Sequence, residues 1–252
     1  MKIRFYEDDI KDLILRKKHL FVPEGMGSAV VFEKALVPSR SDGVDKRIAD
    51  CLIFREDGII IGVEIKTERD SLSRLRSQLP AYSLVCDYVY VMCHDKHIDK
   101  VEQSTKRYKQ QHVGIMAYTE FKSIPMVGTY REAQISPTCT TKSAYILLWK
   151  AEILRILAAF KRPSDTAARE LGFNNTRFKH RGIGMSNGLS GSGNSKSMTK
   201  GQLINNLLIR LGDREARKVL CDVFINHRMD PERTIKLRHF HPTRRKEEEP
   251  DG

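Results

Sequence analysis

Three side chains near the middle of the chain have the types and spacing to handle a phosphate or a hard cation: Asp50, Glu64 and Lys66. They lie in two apolar runs, Ile48-Ala-Asp-Cys-Leu-Ile-Phe54 and Ile59-Ile-Ile-Gly-Val-Glu-Ile-Lys66, each reading as a strand. Between them Glu56-Asp-Gly58 suits a three-residue hairpin loop with glycine at its left-handed position. With Arg55 paired to Ile59, counting outward sets Asp50 opposite Glu64. Side chains alternate along a strand, so Glu64 and Lys66 share one face and Ile65 takes the other. Two carboxylates and an ammonium then converge on one patch of an otherwise apolar hairpin.

Neighbouring carboxylates repel, and a divalent cation relieves the repulsion. An oxygen-only ligand set suits Mg²⁺ or Mn²⁺. A cation held this way can orient a phosphodiester, acidify a water and stabilise a leaving oxygen. Lys66 is placed to orient or deprotonate that water, or to stabilise charge on the phosphate. The plainer alternative is a solvent-facing hairpin with ordinary alternating charges.

Asp50, thirteen residues, then Glu64-Ile65-Lys66 on the next strand resembles the PD-(D/E)xK nuclease superfamily, although Ala49 stands where the motif's name has a proline. Gln78-Leu-Pro-Ala-Tyr82 is similar to the Gln-x-x-x-Tyr element of the RecB-like and lambda-exonuclease-like branches. The resemblance spans residues 1–120. It implies a restriction-endonuclease-like fold, with Asp50, Glu64 and the Ile65 carbonyl holding Mg²⁺ or Mn²⁺. Lys66 would serve the attacking water, Gln78 would assist it, and Tyr82 would touch phosphate or support the site. The resemblance also implies a carboxylate on the first helix facing the metal, for which Glu7 is the candidate ahead of Asp8. Glu33, on the next strand, is another. Plain N-terminal helix acids would look the same.

The elements that must position these groups follow in order. Residues 6–19 read as a helix with Ile10, Leu13, Ile14 and Leu15 inward and Glu7, Asp8 and Asp9 in the first turn. Ala29–Leu36 reads as a strand. Pro38–Lys46 is a loop whose Arg40, with Arg47 just beyond, can reach phosphates near the hairpin. After Lys66 a helix runs to Tyr82, with Arg69 and Arg74 on its polar approach and Pro80 bending or ending it. Gln78 and Tyr82, one turn apart, share a face. Residues 87–92 form a buried strand, 96–110 a polar helix, 112–118 a strand and 119–135 a small hairpin or edge. This order predicts an α/β core at 1–135, a mixed sheet flanked by helices.

Residues 136–143 read as a linker, and 144–238 as an all-helical basic region. Its Ala144–Phe160 helix is strongly apolar and contains Trp149. Helix, glycine turn and basic helix at 164–181 suggest a helix-turn-helix, or a helical cap, offering Arg177, Lys179 and Arg181 to phosphates. Residues 182–200 form a Gly/Ser-rich loop, and 239–252 a charged tail without order.

Bulk composition agrees with a polyanionic partner. The net charge is +12, and it is uneven: residues 1–142 hold 23 basic and 20 acidic side chains, residues 143–252 hold 21 and 12. The 5 cysteines are odd in number and scattered, which argues against a disulfide framework and fits a cytoplasmic protein. Cys51, Cys86 and Cys221 read as core residues, and Cys93, His94 and His97 as loop residues. Nothing reads as a signal peptide or a membrane span. The expectation is a Mg²⁺-dependent deoxyribonuclease of DNA processing, repair, phage or defence. DNA is preferred over RNA as partner, and a homodimer suits a double-strand cut. The alternatives are a non-catalytic nucleic-acid-binding protein on the same fold, or an effector that cleaves RNA.

Overall fold

The computed structural model describes residues 5–36, 47–121, 124–161 and 198–226. Six strands form one sheet in sequence order: β1 (Ser28–Leu36), β2 (Arg47–Arg55), β3 (Ile60–Lys66), β4 (Tyr88–His94), β5 (Gly114–Phe121) and β6 (Ile124–Arg131). The pairs β1–β2, β2–β3 and β5–β6 are antiparallel, and β3–β4 and β4–β5 are parallel. Parallel neighbours need a crossover, and α2 (Leu75–Val85) and α3 (Ile98–Arg107) supply the two. The chain is thus an α/β protein with a mixed sheet, as its strand and helix order predicts.

The central strands of the sheet are buried on both faces, whereas β6 is largely exposed. On one, α1 (Glu7–Arg16) sets Ile10, Leu13 and Ile14 against Cys51, Ile53, Ile61, Val63 and Ile65. On the other lie α2, α4 (Thr141–Ala144), α5 (Lys150–Lys161), α6 (Lys200–Leu211) and α7 (Asp213–Ile225), in one core with Leu52, Phe54, Ile60 and Val91. Phe54 of β2 and Phe224 of α7 stack with ring centroids 3.9 Å apart. The described C-terminal helices therefore complete the core of the sheet. The 136–143 stretch is tied down too: Ser136 N–H donates to Asp87 O, Thr138 Oγ1 to Ser83 O, and Ser143 Oγ to Leu84 O.

Several local expectations are corrected. The first helix stops at Arg16, and Leu15 is exposed. α2 continues past Pro80 to Val85; Pro80 and Arg76, whose carbonyl loses its donor, are both exposed, so water can donate in place of the missing N–H. The 144–160 stretch is no single helix. It breaks at Leu148, whose ψ of 150° is extended, and Trp149 emerges 61% exposed. Cys93 is a fully buried residue of β4 rather than a loop residue. All five thiols are free. Among the described residues no helix is long and apolar enough to cross a membrane. Arg40, Arg177, Lys179 and Arg181, the 164–181 helices, the glycine-rich 182–197 and the tail lie outside the described residues.

Because Phe224 stacks on a sheet residue, Phe224→Ala is expected to destabilise the whole protein by about 3–5 kcal/mol. Urea unfolding followed by far-UV circular dichroism should show one transition moved to lower denaturant, not a separate early loss of helix.

Candidate active site

The hairpin forms in the expected register. Arg55 N–H donates to Ile59 O at 2.9 Å, Gly58 takes φ +95° in the loop, and Cys51 pairs with Val63. Cys51–Val63 is the last pair of the ladder, and one step further out stand Asp50 and Glu64. In place of a backbone acceptor, Asp50 Oδ2 accepts the Ile65 N–H at 2.8 Å. A residue's N–H and C=O leave a strand on the same edge, so the Ile65 carbonyl also faces the gap beside Asp50.

Why the strands part at Asp50 is visible in their facing pattern. Leu52 and Phe54 face the α2 side while Cys51 and Ile53 face α1, yet Ala49 returns to the α2 side. The alternation slips at Asp50. It slips at the same place on β1, where Glu33, the residue opposite, holds φ +53°. A left-handed backbone is uncommon for a residue with a side chain. The Asp50 N–H leaves the sheet ladder and donates to Tyr82 Oη at 2.7 Å, and Tyr82 Oη donates to Val63 O at 3.4 Å.

Tyr82 can sit there because β3 has no side chain beneath it. A Cβ on Gly62 would fall 2.4 Å from Tyr82 Cδ1 and 2.9 Å from Cys86 Sγ. Gly62, Glu64 and Lys66 line one face of β3, so a single glycine lets the ring lie beside the two charged groups. Sequence reasoning missed this role, although a glycine inside an apolar strand is the cue for a close approach.

Glu64 is fully buried and Lys66 is 2% exposed. Lys66 Nζ donates to Glu64 Oε1 at 2.5 Å, and Glu64 Oε2 is buried with no hydrogen-bond partner. Gln78 is also buried, with Oε1 unpartnered, one helical turn from Tyr82. Burial and then the charge of Glu64 push the Asp50 carboxyl up to about 7; the Ile65 N–H and Lys66 oppose the shift. The structure therefore brings Asp50, Glu64, Lys66 and Tyr82 together around the parting of β2 and β3, with Ile65 supplying backbone groups.

The remaining candidates stand further out. Glu7 is half exposed and accepts from Lys11 Nζ at 2.7 Å, though its charge still raises Asp50. Glu33 accepts from the same ammonium at 3.1 Å, and Asp8 lies 3.8 Å from it. No three His, Cys, Asp or Glu side chains cluster as metal ligands among the described residues, so Glu7 and Glu33 do not form a carboxylate triad with the central pair. Arg69 and Arg74 are exposed on the turn from β3 into α2, and Arg47 begins β2.

Fold and site together define an α/β protein carrying a carboxylate pair and a lysine where two strands of a mixed sheet diverge. The chain belongs to the bacteriophage P4 cII protein family, whose profile matches residues 42–180. That match includes β2, β3, α2 and all the central site residues. No curated protein matches the sequence. A solved structure, the SPO1766 protein of unknown function from Silicibacter pomeroyi, is similar over 54% of this chain and 82% of its own, at 16% identity and a TM-score of 0.33.

Asp50 gives a pH prediction. Folded Asp50 keeps its proton to about 7, while the unfolded chain releases it in the usual carboxylate range near 4. Between those values the folded state binds more protons, so stability falls as pH rises from 4 through 7. Asp50→Asn should remove that part of the slope, measured as melting temperature against pH in EDTA. Equal slopes in both proteins would contradict the assignment.

Proposed function

We propose that the protein is a metal-dependent nuclease of the PD-(D/E)xK type, built on a restriction-endonuclease-like sheet and hydrolysing DNA phosphodiester bonds. The observation that carries this reading is the fully buried Glu64, with one oxygen on Lys66 and the other unpartnered, facing an Asp50 whose ionisation it suppresses. A buried anionic oxygen without a partner is costly, and a second carboxylate beside it compounds the cost. A hard cation satisfies both.

The residues fit such an ion. Asp50, Glu64 and the Ile65 carbonyl offer oxygen donors only, suited to Mg²⁺ or Mn²⁺. When bound, the ion supplies Lewis acidity toward the phosphate and acidifies water. The chain's own groups do the rest. Lys66, fixed by Glu64, is directed at the same space and can orient a water or offset phosphate charge. Gln78 has a free carbonyl oxygen to accept from that water or from Lys66. The Tyr82 hydroxyl accepts from Asp50 N–H, lies 3.4 Å from Val63 O and stands beside the Glu64 carboxylate, so its part is to hold the strands open and support the site. Arg69 and Arg74 give the approach a positive rim. The overall charge of +12 supports a polyanionic substrate. A binding protein without catalysis would have no need of two repelling carboxylates under a lysine, and cleavage of RNA instead of DNA is resolved by the same assay.

The purified protein should nick or cut DNA in Mg²⁺ or Mn²⁺ and not in EDTA. Asp50→Ala and Lys66→Ala should each lower the rate at least about 100-fold, a loss in keeping with removal of a catalytic acid–base or charge-stabilising group, while DNA binding is retained. Binding without cleavage by the wild type on matched DNA and RNA substrates would support the non-catalytic reading.

A further inference from the structure

Lys34 has no place in the chemistry above, yet its setting asks for an anion. It sits on β1 with 9% of its surface exposed, and among the described residues its ammonium has no hydrogen-bond acceptor. Its near neighbour is the face of the Phe224 ring, 5.3 Å from Nζ. The Glu152 carboxylate, which accepts the Trp149 N–H at 2.5 Å, is close enough to favour the charged form of Lys34 and of Lys200. Lys200 stands nearby, its ammonium donating to Ile146 O at 2.9 Å, and it is the first residue of the twelve-residue α6. The helix start adds its own positive end to the two lysines. Burial pushes both ammoniums down from their ordinary range.

The register fixes where this cluster lies. Lys34 pairs with Ala49 of β2, just beyond the point at which β2 leaves β3. After the slip at Glu33, Lys34 faces the α7 side of the sheet, which is also the face of Glu64 and Lys66.

We infer that Lys34, with Lys200 and the start of α6, forms a phosphate-binding subsite for DNA on the same face of the sheet as Glu64 and Lys66. Its location relative to a scissile bond rests on the nuclease reading; its affinity for DNA does not. The Phe224 ring holds the Lys34 stem, and the ammonium takes a phosphate oxygen as the acceptor it lacks.

The test is the salt dependence of binding. The full-length protein is titrated onto a short fluorescent DNA duplex in EDTA, by anisotropy, from 50 to 200 mM KCl. Lys34→Met keeps the stem against Phe224 and removes the charge. Lys34→Met and Lys200→Met should each reduce the log–log slope by about 0.9, while Lys34→Arg retains the wild-type slope. Wild-type slopes for both methionine variants, or no DNA binding by the wild type, would overturn the subsite. If Lys34→Met does not melt like the wild type, Lys200→Met decides. Cleavage is scored separately in Mg²⁺. A reduced slope with no cleavage by the wild type keeps the subsite and removes the hydrolase, whereas cleavage with unchanged slopes does the reverse.

Discussion

The structure depends on a repulsion. Asp50 and Glu64 are set side by side on adjoining strands, one mostly and one wholly out of water, and the sheet does not separate them. Charges so placed raise each other's cost of ionisation, and a fold retains them only where something compensates. Lys66 compensates half of Glu64. The Ile65 N–H compensates part of Asp50. What stays uncompensated is a buried Glu64 oxygen and an Asp50 that holds its proton near neutrality, and that is where the proposed cation would bind.

Around that centre the architecture serves to keep two strands apart at one residue. β2 and β3 are zipped from Arg55 and Ile59 to Cys51 and Val63. Beyond that point the backbone turns, Tyr82 fills the opening and Gly62 gives the tyrosine room. The turn is transmitted to β1 as the left-handed Glu33. Helices on both faces hold the sheet firmly enough for such strain to persist. α7 contributes through Phe224, so the C-terminal helices support the same strands that carry the charged groups.

Much of this was legible in the sequence because hairpin chemistry is local. Glu56-Asp-Gly58 set the register, the register set Asp50 against Glu64, and alternation put Lys66 over Glu64. Helical spacing put Gln78 and Tyr82 on one buried face. What could not be read was tertiary. The slip of facing at Asp50 comes from a tyrosine hydroxyl thirty-two residues away capturing its N–H. Trp149 escaped the core because the chain extends at Leu148 before it. Lys11 gathers Glu7 from its own helix and Glu33 from β1, so the partner of Glu33 is not visible in its own segment. Nothing in its own segment singles out Lys34, because the ring that meets its ammonium, Phe224, comes from α7.

The most direct test of the account is a crystal of the protein soaked in Mn²⁺ and examined by anomalous diffraction. The account predicts one strong peak bounded by the carboxylates of Asp50 and Glu64 and the carbonyl of Ile65, absent from Asp50→Asn crystals. A peak elsewhere, or none there with Glu64 still sealed against Lys66, would contradict it.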